Sequence, residues 1–301
     1  MKLGFSTVAC PQWDLATIVR QAKEFGYEGV EVAALGGRAL SPAEAALADD
    51  PAAVRRLFAD AGVELVCLGT PIRVAGGDAD RTRSARSELL AFLDLAARLG
   101  CPFVRVFGGK PPPVGDRNAV LARTAAALRD VAPAAAARNV EILIENDSGA
   151  PGSRDLWFVT DAAAHPAVRC CWNPLAAAAI GERPTLSVPR LGSRIGMVRV
   201  SDGRFGPDGR LEGYELPGNG QAELARLIVL LRGIAYDGYV VFHWPPSRTG
   251  SRAPAEEALP AAAKFLRERI DAKGEALSAY KGDKTAPRFA RRPPRLPVRM
   301  T

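Results

Sequence analysis

The sequence predicts a single (β/α)8 barrel of the α/β class, followed by a basic tail. Three observations carry this expectation: a length of 301 residues, eight short apolar runs, and amphipathic segments between several of them. A barrel of eight strand–helix units typically needs about 250 residues, so one domain spanning 1–272 accounts for most of the chain.

The runs are KLGFSTVA (2–9), GVEVAAL (29–35), VELVCLG (63–69), FVRVFGG (103–109), VEILIEND (140–147), VRCCWNP (168–174), IGMVRVSD (195–202) and YVVFHWP (239–245). Each is rich in β-branched or aromatic residues and apolar on both faces, as strands sandwiched between a core and a helix layer are. Between them, DLATIVRQAKEFG (14–26) offers Asp14 as an N-cap and Gly26 as a stop. Residues 87–100 repeat the design with Gly100 at the end, and 117–139 and 221–233 also show helical spacing. Over 175–194, Pro184 and Pro189 predict a shortened or distorted sixth helix. Strands alternating with helices imply parallel pairing, and eight such units close into a barrel. A doubly wound open sheet would usually place a Gly-rich phosphate loop after the first strand. Here that position reads STVACPQWD.

The formal charge of +7 is carried by the tail. Residues 281–301 hold seven Lys and Arg against Asp283 alone, which is +6 of the total, so the barrel is nearly neutral. The Pro- and Arg-rich segment 273–301 is expected to be disordered, and nucleic-acid contact, if any, is expected only through it. Five cysteines without a C-x-x-C pair read as free thiols of a reducing compartment. The start carries no secretory pattern, and no run approaches the about 20 apolar residues of a membrane span. The expectation is a cytoplasmic protein.

In such a barrel the residues that finish each strand face the pocket. They include Ser6, Thr7, Thr70, Arg105, Glu145, Asp147, Trp172, Asn173, Arg199, Ser201, Asp202, His243 and Trp244. Glu145 and His243 stand out because both end long apolar runs. Arg105, Asp147, Trp172, Asn173, Asp202 and Trp244 are the expected ligand-binding set, the two tryptophans as stacking faces for a sugar ring.

The opening MKLGFSTVACPQWDL, with GYEGVEVAALGG, VRVFGG, IEND, and ELPGNGQAEL before YDGYVVFHW, resembles the sugar phosphate isomerase/epimerase family of xylose isomerase-like TIM barrels over about residues 1–270. The resemblance implies a small carbohydrate ligand, a possible homodimer, and one divalent metal held by Glu, Asp, His and Glu after strands five to eight. Carried over by position, these are Glu145, Asn173, Arg199 and His243, so only the first is kept in kind. A set with −1, 0, +1 and 0 or +1 needs no dication. Arginine offers no lone pair, and a dication beside it costs several kcal/mol even at an effective dielectric constant of about 20. No cofactor is therefore expected. The alternative is a displaced manganese, zinc, cobalt or magnesium ion on Glu145, Asn173 and His243.

Two functions follow. In one, an isomerase or epimerase moves protons through an enediolate, with Glu145 and His243 as acid and base, Arg199 stabilising the charge, and Arg105 holding a phosphate or carboxylate. In the other, a non-catalytic relative binds a sugar or a partner, and Arg199 pairs with Glu145. The related zinc endonucleases use many histidines, whereas this chain has two, His165 and His243.

Overall fold

The computed structural model describes residues 1–75, 78–110, 116–147, 149–245 and 253–272. The tail from 273 and the glycines at 76–77 lie outside these. Each predicted run forms a strand: β1 (Lys2–Ser6), β2 (Gly29–Val32), β3 (Glu64–Arg73), β4 (Phe103–Phe107), β5 (Glu141–Glu145), β6 (Val168–Trp172), β7 (Ile195–Val200) and β8 (Tyr239–Phe242). They pair in parallel and in chain order, and β8 closes the barrel against β1 through Leu3↔Val240 and Phe5↔Phe242.

The outer layer comprises α1 (Leu15–Glu24), α2 (Pro51–Ala61), α3 (Ala79–Leu99), α4 (Arg117–Ala136), α5 (Ser153–Ala163), α6 (Pro184–Leu191), α7 (Leu224–Gly233) and α8 (Ala255–Asp271). Four of them start on an aspartate cap. Asp14, Asp50, Asp78 and Asp116 accept from the backbone N–H of Thr17, Ala53, Arg81 and Asn118 at 2.8–2.9 Å, satisfying donors that a helix start otherwise leaves open. The Asp78 cap explains why α3 begins at Ala79 and not near the first leucines. In α6, Pro184 occupies the first turn, where its missing N–H costs nothing, so it starts the short helix. None of the described helices is long and apolar enough to cross a membrane.

Two apolar zones result from strand alternation. The large one lies between strands and helices and includes Leu3, Phe5, Phe92, Leu128, Trp172, Leu227, Phe242 and Trp244. The small one fills the barrel's interior with Cys67, Leu143, Cys171, Met197, Tyr239 and Val241. All five cysteines are free and buried.

Two short hairpins, Ala34–Leu35 with Arg38–Ala39 and Asp202–Phe205 with Leu211–Glu215, rise from the ends of β2 and β7.

Candidate functional site

Alternation also decides which charges enter the barrel. Leu143 packs inside, so two residues later Glu145 points inward. Met197 puts Arg199 on the same face, and Val241 does so for His243. Register places Gly69 opposite Arg105 and Cys171 opposite Glu145. From β2 a further carboxylate arrives, Glu31, which lies in mid-strand between Val30 and Val32.

These four charges close a ring. Glu31 accepts from Arg105 Nε on one oxygen at 2.8 Å and from Arg199 Nε on the other at 3.2 Å. Glu145 accepts from Arg199 Nη1 at 3.2 and 3.3 Å, and pairs with Arg105 Nη1 at 3.2 Å. Each guanidinium thus bridges both carboxylates. None of the four side chains is more than 7% exposed. Two positive and two negative charges leave the ring neutral, the condition under which buried charge is tolerated.

Burial pushes the Glu31 carboxyl up, but the Arg199 and Arg105 guanidinium groups outweigh it and bring its pKa to about 2. Burial acts against the charge of Arg199 as well, and Glu145 and Glu31 more than compensate, raising its pKa. The linkage sign follows. A carboxyl depressed on folding contributes stability that is complete above its unfolded pKa and is lost as pH falls through its folded pKa. The Glu31 contribution is therefore expected to drain between about pH 5 and pH 2, by about 3 kcal/mol. Urea midpoints measured down this range should fall more steeply in the wild type than in Glu31→Gln. Parallel profiles would contradict the pairing.

The ring needs space that only glycine provides. A Cβ on Gly69 would stand 2.7 Å from Glu31 Oε1, 2.8 Å from Arg105 Nη2 and 2.6 Å from the Ala33 Cβ. Gly69→Ala is expected to lose about 1–3 kcal/mol, the usual range for overpacking, read as a lower urea midpoint. An unchanged midpoint would mean that the ring is not held rigidly.

Above the ring lies the mouth. Asn173 donates Nδ2 to Glu145 Oε1 at 3.1 Å while its Oδ1 accepts from the Ala176 N–H at 3.2 Å. Asn146, fully buried, ties Asn173 to β5 by accepting from its N–H at 2.7 Å and donating to its carbonyl at 2.8 Å. Asp147 pairs with Arg73, which also donates to the Gly108 carbonyl at 2.9 Å. The Phe107 ring takes the Arg105 and Arg73 guanidinium groups at 4.7 and 5.2 Å from its centroid. His243, half-buried, stands edge-on to Tyr214 of the second hairpin with centroids 6.3 Å apart.

Of the expected site residues, Glu145, Arg199, Arg105 and Asn173 come together, with Asp147 beside them at the rim. Three expectations need correction. Trp172 and Trp244 are fully buried in the layer between strands and helices, Trp244 stacked on Phe242 with centroids 6.0 Å apart. They occupy the outward parity of their strands and offer no face to a sugar ring. Asp202 is 2% exposed, and its oxygens accept from the N–H groups of Gly203, Gly218, Gly220 and Ala222 at 2.8–3.1 Å, so it clamps a loop. Arg105 is committed to the ring and not open for a phosphate. Thr7, Thr70 and Ser201 brace neighbouring backbone, accepted by the carbonyls of Ala34, Arg105 and His243 at 2.7–2.8 Å.

Glu31 and Arg73 are the residues a strand-end reading misses. The signal for Glu31 was a carboxylate inside an apolar strand, which requires a buried cation as partner.

The model of the xylose isomerase-like TIM barrel family matches residues 19–269. No curated protein matches the chain. Among solved structures, the IOLI protein with a binding zinc atom has TM-score 0.78 at 16% identity, over 90% of this chain and 98% of that one. The apo 3-keto-D-glucoside 4-epimerase YcjR from E. coli has TM-score 0.71 at 17% identity, over 89% and 98%. D-psicose 3-epimerase in the presence of D-fructose has TM-score 0.70 at 17% identity, over 90% and 99%. At such identities the likeness shows the fold.

Proposed function

The chain belongs to the xylose isomerase-like TIM barrel family, and from that premise we propose that it is a small-carbohydrate-binding barrel that works without a divalent ion and without the enediolate proton transfer. The observation that carries this reading is the closed ring of Glu31, Arg105, Glu145 and Arg199.

A resident metal does not fit these residues. Both oxygens of Glu145 and both of Glu31 already receive guanidinium N–H groups. Asn173 spends its Oδ1 on the Ala176 N–H, and Arg199 carries a fixed positive charge where the resemblance expects a histidine ligand. Among the described residues, no three of His, Cys, Asp and Glu come together as a metal-binding group.

The same contacts disarm Glu145 as a base. A general base must reach the proton it removes at about 2.6–3.2 Å with a free lone pair. Here the carboxylate is buried and faces two guanidinium groups and an amide. What remains for a ligand is the rim, where Asp147, Asn173, Tyr214 and His243 are half-buried. Hydroxyl-rich ligands suit such mixed donors and acceptors, and the sugar epimerases among the structural neighbours support this ligand class.

One observation favours a second reading: His243 continues the interior face of β8 at the mouth, where a lone base can act on a bound sugar. The two readings separate in one experiment. Chelator-treated protein is titrated calorimetrically with D-fructose, D-tagatose and D-allulose, and each mixture is held in deuterium oxide. Binding without deuterium at carbon supports the binding barrel. Deuterium incorporation that His243→Ala abolishes supports proton transfer. Binding that appears only after metal is restored overturns both.

A further inference from the structure

We infer that Glu31 and Glu145 form a cation-binding pocket inside the barrel, and that its resident cations are the chain's own Arg105 and Arg199. The inference rests on the metal-independent reading of the site and goes beyond it by giving the two arginines the role of tethered ligands.

The geometry is that of a two-carboxylate pocket shared by two planar cations. Arg199 reaches Glu31 through Nε and Glu145 through Nη1, both at 3.2 Å. Arg105 reaches Glu31 through Nε at 2.8 Å and Glu145 through Nη1 at 3.2 Å. Each guanidinium lies across both acids along two edges of its donor fork, the arrangement for which that group is suited. The pocket's wall is small on one side, where Gly69 admits the Arg105 Nη2 and Glu31 Oε1 atoms. On another side the Asn173 amide donates to Glu145 at 3.1 Å. The floor is apolar, made by Cys67, Leu143, Cys171 and Met197.

Charge arithmetic then states what the pocket accepts. With both arginines present it is neutral. Truncating Arg199 leaves two carboxylates against one guanidinium, a net −1 in a buried space shaped for a planar monocation. A free guanidinium ion restores neutrality there. Rescue therefore discriminates by shape as well as by charge.

The test is thermal unfolding of the full chain as wild type, Arg199→Ala and Arg105→Ala, with methylguanidinium or with tetramethylammonium at equal ionic strength. Methylguanidinium is expected to raise the midpoint of each alanine variant by several degrees with saturation, while the wild type gains nothing and tetramethylammonium has no effect on any of them. If a variant fails to fold alone, it is refolded with methylguanidinium present, and recovery only in that cation counts as rescue. Alanine variants as stable as the wild type, or indifferent to which cation is added, overturn the inference. Failure of the metal-independent reading shows separately, as a divalent ion bound to the wild type.

Discussion

Glu31→Ala is expected to lower the unfolding free energy by about 3–5 kcal/mol, the range for removing one partner of a buried ion pair. The loss has two sources. Arg105 Nε and Arg199 Nε each lose their carboxylate acceptor, and the interior is left with one uncompensated positive charge. Glu31→Gln keeps the shape but not the charge, so it should recover only part of the loss. The pairing itself is measured by a double-mutant cycle of Glu31→Gln with Arg105→Met. The double variant is expected to be less destabilised than the sum of the singles by more than about 1 kcal/mol. The pair Lys2–Glu64, at 2.5 Å, is the internal control. Those side chains are 45% and 57% exposed, and Glu64→Gln should change stability by no more than about 1 kcal/mol. Urea unfolding reads both. Equal effects at Glu31 and Glu64 would contradict the buried ring.

Asp202→Ala is expected to cost about 3 kcal/mol and to free the loop that joins the second hairpin to α7. Four backbone N–H groups end on this one carboxylate; a hydrogen bond to a charged group contributes about 1.5–3 kcal/mol net, and bonds sharing one acceptor group do not add in full. Gly220 approaches so closely that a Cβ there would stand 2.2 Å from Asp202 Oδ1, so the loop is moulded around the carboxylate. Amide exchange at Gly218, Gly220 and Ala222 should accelerate in the variant while β-strand amides stay protected. A variant that keeps slow exchange in this loop, and loses only ligand binding, would return Asp202 to the ligand-contacting role that its strand-end position suggests.

The barrel was legible because its evidence is periodic. Eight apolar runs and the helix start at Asp14 are local signals, and packing agrees with local choices that agree with each other, whereas the caps at Asp50, Asp78 and Asp116 emerged only with the structure. The site was legible in part. Glu145, Asn173 and Arg199 stand at or next to the ends of their strands, Arg105 is a polar step in an apolar run, and all four were named from residue type at these positions. Glu31 was not legible, because it sits in mid-strand, where a charge shows its purpose only once β4, β5 and β7 are placed around it. Trp172 and Trp244 misled because a strand's last residues alternate between pocket and helix layer. One step of parity moves a ring from ligand to core. Asp202 misled for another reason: a carboxylate at a strand end serves a ligand or a loop equally well until its donors are counted.

On the reading proposed above, Arg105 and Arg199 take the place of a divalent ion between Glu31 and Glu145. Elemental analysis of the purified, dialysed wild-type protein for manganese, zinc, cobalt and magnesium tests it most directly. No stoichiometric ion is expected, before or after reloading and a second dialysis. About one ion retained per chain, released together with ligand binding by a chelator, would contradict it.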